Sequence, residues 1–175
     1  GDRSAGAGGM TANTVAISSV HVREASLDDY ETLIGLFDEL DEFHRQARPD
    51  FFRAFDGPAR TREQIEQWLV APSSTVLVAQ SGQAVVGLAV LLTRPASPFA
   101  GAVPRHVVEV DNLVVRADQR GRRIGHRLLE AAREWSRRRE ATHLEVAVHA
   151  FNRQARRFYE EFGFAPSIDR LVFAP

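Results

Sequence analysis

One stretch limits the architecture more than any other. Residues 106–115, H-V-V-E-V-D-N-L-V-V, read as a long strand. A polar turn and the helical run L-L-E-A-A-R-E-W follow, and then comes a second strand, H-L-E-V-A-V at 143–148. Two strands with a whole helix between them cannot close as a hairpin. They pair in parallel, and the helix crosses one face of the sheet. The rest of the chain reads as hairpins and short helices. T-V-L-V-A-Q and A-V-V-G-L-A-V-L-L-T flank a turn containing glycine, V-H-V-R at 20–23 opens the fold, and R-L-V-F at 170–173 closes it. Ser26 is placed to cap a first helix, with Asp28 and Asp29 in its first turn and Leu33, Leu36, Phe37 and Leu40 at helical spacing. Pro49 ends that helix, and Thr61 starts a second with Ile65, Trp68 and Leu69 facing inward. A last helix, N-R-Q-A-R-R-F-Y-E-E-F, stops at Gly163. The order β-α-α-β-β-β-α-β-α-β predicts an α/β (α+β) domain. Its sheet should be mixed and mostly antiparallel, of about six or seven strands, with helices on both faces and one splayed parallel pair.

Composition removes several chemistries. The chain has no cysteine, which excludes disulfides, thiolate metal sites and a cysteine nucleophile. It also has no lysine, since all 22 basic residues are arginine, and this excludes a Schiff base and a P-loop lysine. Carboxylates, histidines, hydroxyls, arginines and backbone remain, and no metal is expected. The 23 acidic residues nearly cancel the arginines, so no overall field draws nucleic acid or an anionic membrane. Arg133 and Arg137–Arg139 read as the solvated last turn of a helix, without the interleaved aromatics of a single-strand platform. No apolar run suits a bilayer span and no secretory leader is visible, so a cytoplasmic protein is expected. Residues 1–19 read as a flexible tail, in which Met10 is the natural start and residues 1–9 an added leader. Residues 20–175 read as a single domain.

The chemistry concentrates at R-G-R-R-I-G-H, residues 120–126, between the strand and its crossover helix. The first amides of a helix lack intrahelical partners and carry the positive end of its dipole, while glycine lets an anion approach closely. Alone, this segment is either a phosphate cradle or a basic helix start. Residues 152–164, N-R-Q-A-R-R-F-Y-E-E-F-G-F, follow the next strand. Together the two segments resemble the GNAT superfamily of acyl-CoA-dependent N-acyltransferases, whose pattern is R/Q-x-x-G-x-G/A and then N-x-x-A-x-x-F-Y-x-x-x-G-F. Arg120, Ile124 and Gly125 match the first motif. Asn152, Ala155, Phe158, Tyr159, Gly163 and Phe164 match the second, and the likeness extends over 20–175. Arg123 departs from the pattern, standing where the family usually has glycine. In the first turn of a helix its φ would be negative and its amide still free to donate.

The resemblance implies direct transfer of acetyl from acetyl-CoA, the co-substrate, to an amine, without an acyl-enzyme or a metal. The backbone of Leu113, Val114 and Val115 would pair with the pantetheine arm where the parallel strands splay. Arg120, Gly121, Arg122, Arg123, Ile124, Gly125 and His126 would hold the pyrophosphate. Asn152 would bond the pantetheine or order the splay, and Tyr159 would protonate the departing thiolate. Many relatives carry a carboxylate on the strand before the cradle. Glu109 and Asp111 share a face there by alternation, so Asp111 is the first choice of base, Glu109 the second and His149 the third. The first two helices would border the acceptor, a small cationic amine. The Asp38/Asp41/Glu42 cluster, His44 and the F-F-R-A-F loop with Phe51 and Phe52 are the expected contacts. A protein N-terminal or side-chain acetyltransferase with an open groove is an alternative, as is a non-catalytic acyl-CoA-binding regulatory module. The resemblance also admits a homodimer.

Overall fold

The computed structural model describes residues 19–175. Apart from Ser19, the tail expected over 1–19, Met10 included, lies outside the described residues. Strands β1 (Val20–Glu24), β2 (Ser74–Ser81), β3 (Ala84–Thr93), β4 (Val107–Val115) and β5 (His143–Val146) form one sheet in sequence order. The pairs from β1 to β4 are antiparallel, and β4 and β5 are parallel. The intervening helices are α1 (Tyr30–Ala47), α2 (Arg62–Val70), α3 (Ile124–Arg138) and α4 (Arg153–Phe162).

Both faces of the sheet are covered, which is why its central strands read as nearly continuous apolar runs. On one face α1 and α2 bring Leu33, Phe37 and Ile65 onto Val76, Val78, Leu88 and Val90. On the other, α3 brings Leu128, Leu129 and Trp135 onto Leu77, Ala79, Ala89 and Leu91, and Tyr159 of α4 joins them. Strict alternation along β2 sorts Leu77 and Ala79 from Val76 and Val78. The expected helix starts are present in outline. Ser26 precedes a short 3-10 turn, Leu27–Asp29, that leads into α1, and its N–H donates to Asp29 Oδ2 at 2.9 Å. The Thr61 hydroxyl accepts from the amide of Gln64 at 3.1 Å.

The strand count is a correction. The sheet has five strands, not six or seven, because the segment 170–173 pairs with nothing among the described residues. Leu171, Val172 and Phe173 favour strand conformation, but that preference is realised only against a neighbouring strand and a covered face.

Two features of β4 position the site. Leu91 of β3 opposes Val110 and Val90 opposes Asn112, so Asp111 is the extra residue of a β-bulge. The bulge reverses the alternation. Val108 and Val110 face the α3 side, as do Leu113 and Val115 beyond it, while Val114 turns to the α1 and α2 side. The second feature is a fork. β4 pairs with β5 only from Val107–His143 to Val110–Val146, and past that point the two chains part.

Candidate active site

A cleft of ≈ 560 Å³ opens at the fork, within the usual size of a small-molecule site. One wall is the bulge of β4, from Glu109 to Leu113. Opposite lie Val146–His149, Asn152 and Tyr159, and the mouth is formed by Asp41 and His44 of α1 with Phe51 and Phe52.

Tyr159 is buried at the inner end. Among the described residues its hydroxyl has no hydrogen-bond partner. Loss of hydration pushes its pKa up to about 12, so the phenol keeps its proton and can give it away. Asp111 sits on the bulge and lines the cleft, its side chain 34% exposed. Desolvation, and then the negative charge of Glu109, hold its carboxyl above the usual carboxylate range, against the pull of Arg94 and Arg60. Glu109 differs from it. A short hydrogen bond joins Glu109 Oε2 to Arg94 Nε, whereas Asp111 Oδ1 is 4.0 Å from Arg94 Nη2. Both carboxylates line the cleft, but Glu109 is hydrogen-bonded to Arg94 whereas Asp111 has only a long ion pair with it. His149 stacks on Phe151 with ring centroids 5.6 Å apart and meets His44 at 5.4 Å. Its pKa is lowered by desolvation first, then by His44 and Arg48, which favours the neutral ring.

The segment expected to bind phosphate is a turn that leads into the N-terminus of α3. Glu39 of α1 tethers its approach, accepting the Ala117 amide at 2.9 Å and lying 3.6 Å from Arg120 Nη2. Arg122 bonds Gln119 and reaches the Ser81 hydroxyl at 3.4 Å. The first-turn amides of Ile124, Gly125 and His126 have no carbonyl to meet within α3. The His126 ring lies 3.1 Å from Glu130. On β4, the edge of Leu113–Val115 toward β3 is paired with Ala89, Leu88 and Gly87, and the other edge meets no strand among the described residues.

One expectation about this segment is corrected, and another gains a second reason. Arg123 is not in the first turn of α3: it is the N-cap, at φ +60° in the left-handed region. A glycine suits this position for its backbone conformation, and arginine occupies it under strain. Gly125 has a packing reason besides the expected phosphate approach. A Cβ there would stand 3.0 Å from the ring of Phe158, so the glycine lets α4 pack on α3. Gly121 is the residue that needs conformational freedom, at φ +81° with open space around it.

Asn152 serves first as the N-cap of α4, its Oδ1 accepting from the Ala155 amide at 3.1 Å, which leaves its NH2 group for the cleft. Asn112 was not singled out from the sequence. Its Oδ1 is buried on the cleft wall without a partner, a costly position for a polar atom. The only signal was the D-N pair interrupting an apolar strand.

Where the sequence suggested an acceptor wall, the acidic face of α1 separates into local ties. Asp38 is exposed and does not line the cleft, and Glu42 points outward to Arg45 at 2.8 Å and Gln46 at 2.9 Å. Asp41 does line it, paired with Arg60 at 3.2 Å. Lining carboxylates Asp41, Glu109 and Asp111 are balanced by Arg45, Arg53 and Arg60. His44, Phe51 and Phe52 stand where the sequence placed them and form a ring wall with His149. Among the described residues no group of acids and histidines comes together to hold a metal, and no helix is long and apolar enough to cross a membrane.

The sequence model of the acetyltransferase (GNAT) family matches residues 38–164. A curated relative, the uncharacterized N-acetyltransferase YhfO of Bacillus subtilis (strain 168), is 24% identical over 145 residues, covering 83% of this chain and 89% of that protein. Among solved structures, the tetramutant of the BH1408 protein from Bacillus halodurans superposes with a TM-score of 0.82 at 24% identity, over 89% of this chain and 99% of the other. The aminoglycoside N-acetyltransferase AAC(6')-Iy in complex with CoA superposes with a TM-score of 0.71 at 18% identity, over 90% and 95%.

Proposed function

We propose that this chain, which belongs to the acetyltransferase (GNAT) family, moves acetyl from acetyl-CoA directly to the primary amine of a small cationic molecule. One observation supports the reading: a buried, protonated phenol, Tyr159, and a carboxylate without a hydrogen bond, Asp111, line the same cleft where β4 loses its parallel partner. The unpaired edge of Leu113–Val115 gives the pantetheine arm a strand to pair with. The amides at the start of α3, with Arg120, Arg122 and Arg123 around them, suit the pyrophosphate.

The residues then divide the work. Asp111 takes a proton from the ammonium, which frees the nitrogen lone pair to attack the thioester carbonyl. As the C–N bond forms and the C–S bond breaks, Tyr159 gives its phenolic proton to sulfur. The second N–H proton of the new amide nitrogen restores Tyr159. The elevated pKa of each group favours its part, because a raised carboxyl is a better base and a raised phenol stays protonated until the thiolate develops. Phe51, Phe52 and the imidazole rings supply ring faces to the cationic acceptor, and Asp111 supplies the charge.

The test is a panel of amines with acetyl-CoA and a thiol reagent. With no cysteine in the chain, the reagent reads released CoA alone. Thiol release that depends on amine is the expected result. CoA binding with no release from small amines or peptides would assign the chain to the acyl-CoA-binding modules instead.

A further inference from the structure

The loop after α1 and the turn after β5 bring several rings to one place. Pro49 ends α1, and the chain folds back on the helix end, with the Phe51 and Phe52 amides donating to the Arg48 carbonyl at 3.0 and 2.9 Å. The chain leaving β5 turns as well, the Asn152 amide closing on the His149 carbonyl at 2.8 Å. His149 then stands at the centre of a ring cluster. Its centroid lies 5.4 Å from that of His44, 5.8 Å from Phe51, 5.3 Å from Phe52 and 5.6 Å from Phe151. The cluster is not closed. Phe51 is 62% accessible and Phe55, farther along the same loop, 54%, and both line the cleft. Rings fixed by backbone bonds yet open on a cleft offer a preformed, flat apolar surface.

The charges around these rings leave room for a single ammonium. Of the carboxylates lining the cleft, Asp41 is hydrogen-bonded to Arg60 and Glu109 to Arg94, while Asp111 has only an ion pair at 4.0 Å. The rim is basic. Arg48, itself bonded to Asp50, lies over the Phe51 ring at 5.6 Å from its centroid, so a cation already occupies that face. Arg53 lines the cleft and, among the described residues, makes no hydrogen bond or ion pair. A second ammonium on the acceptor would meet Arg53 and find no free carboxylate among the lining residues to offset it.

Resting on the acetyl transfer proposed above, we infer that the acceptor is an aromatic monoamine, whose one ammonium meets Asp111 while its ring lies against Phe51, Phe52 and His149. A flat ring gains apolar burial and edge or face contacts with these side chains, worth roughly two- to tenfold in affinity for each well-placed ring pair. A straight alkyl amine shares the ammonium but forgoes the ring contacts. A polyamine brings further charge, which Arg53 repels. Desolvation keeps the His149 imidazole neutral at pH 7, so it presents a ring and not another cation.

The test compares 2-phenylethylamine, n-butylamine and spermidine as acceptors, with released CoA read by a thiol reagent. 2-Phenylethylamine should show a kcat/KM at least about tenfold above either of the others. Equal or better use of n-butylamine or spermidine overturns the proposal while leaving acetyl transfer in place. Phe51→Ala, at an exposed position, should cut the preference for 2-phenylethylamine over n-butylamine by roughly two- to tenfold. An unchanged preference overturns the ring contact. Arg53→Glu should raise kcat/KM for spermidine about threefold or more at low salt, and less at high salt. No change there overturns the exclusion of polycations. If no amine releases CoA, the transfer reading itself fails, and ligand-observed NMR on the chain with CoA present still decides recognition. Saturation transfer to 2-phenylethylamine and not to spermidine supports the aromatic seat, and transfer to both or to neither overturns it.

Discussion

The two sides of β4 beyond its bulge are built on different principles. The cradle side is contiguous: the turn after Val115, the N-cap Arg123 and the first turn of α3 present backbone amides. The cleft side, where the acceptor is proposed to bind, is assembled from separate pieces, with Asp41 and His44 from α1, Phe51 and Phe52 from the following loop, Asp111 from the bulge and His149 after β5. A site made of backbone needs particular conformations at fixed spacing, so it leaves a motif. A site made of side chains from distant segments needs only the fold, and leaves none. Tyr159 and Asp111 stand where the two meet, and substitutions there should have the largest effects.

Tyr159→Phe removes the proton donor and keeps the ring that packs in the core. Turnover should fall by about 10²–10⁴-fold, the usual worth of a positioned acid, while acetyl-CoA binding barely changes. The raised pKa also sets a sign for stability. Tyrosine in the unfolded chain ionises near 10, as in model peptides, and folded Tyr159 at about 12. Its contribution is therefore whole below the unfolded value and is lost as pH rises through the folded one. A urea titration from neutral to alkaline pH should show this loss in the native chain and a smaller one in Tyr159→Phe. Unchanged turnover would leave Tyr159 as a packing residue only.

Asp111→Asn should cost about 10²-fold or more in turnover if it is the base. The better diagnostic is pH. A base works deprotonated, so kcat/KM should rise with pH through the Asp111 pKa, which burial and Glu109 hold above the usual carboxylate range. That acidic limb should vanish in Asp111→Asn and persist in Glu109→Gln. A limb that persists in Asp111→Asn and vanishes in His149→Gln moves the base across the cleft and breaks the assignment.

This division explains what could be read from the sequence. The parallel pair, the crossover helix and the two covered faces followed from periodicity and spacing, because each is imposed locally. The segment R-G-R-R-I-G-H was legible as the turn into α3, although the left-handed backbone of Arg123 and the packing of Gly125 were not. The sequence cannot show that Gly125 faces Phe158, a contact made by two helices separated by a strand. Alternation placed Glu109 and Asp111 on one face, yet the bulge that singles out Asp111 depends on the register with β3. The acidic face of α1 suggested an acceptor wall. Its charges are instead divided among Arg45, Arg60 and the Ala117 turn, since a carboxylate run does not reveal which arginines fold against it. Segment 170–173 was legible as strand-forming residues, but that preference is not realised, because no strand among the described residues pairs with it.

Gly125 tests whether the cradle side is purely backbone. In Gly125→Val the new side chain meets Phe158, and crowding of this kind costs about 1–3 kcal/mol. For a chain of this size that is a fall of roughly 2–4 °C in Tm for each kcal/mol. CoA titration should weaken along with it. Adding Phe158→Ala should restore most of both if packing is the cause. Recovery of Tm without recovery of CoA binding would show that the valine also obstructs the phosphate.

Arg123 carries the smallest effect and gives the finest distinction between backbone and side chain. Its left-handed backbone costs a non-glycine residue about 1–2 kcal/mol, part of which glycine returns as lost chain entropy. Among the described residues its guanidinium makes no hydrogen bond or ion pair, and it stands beside His126 and Arg127 at the cradle's mouth. Arg123→Gly should therefore raise Tm without ligand by about 2 °C, the equivalent of roughly 0.5–1 kcal/mol. Arg123→Ala keeps the strained conformation and loses the same charge, so it should gain nothing. If backbone amides hold the pyrophosphate, both variants should bind CoA within a few-fold of the native chain in moderate salt. A joint loss of affinity that grows at low ionic strength would instead assign the anion to the guanidinium, and would mean that arginine is kept at this position for its charge despite the strain.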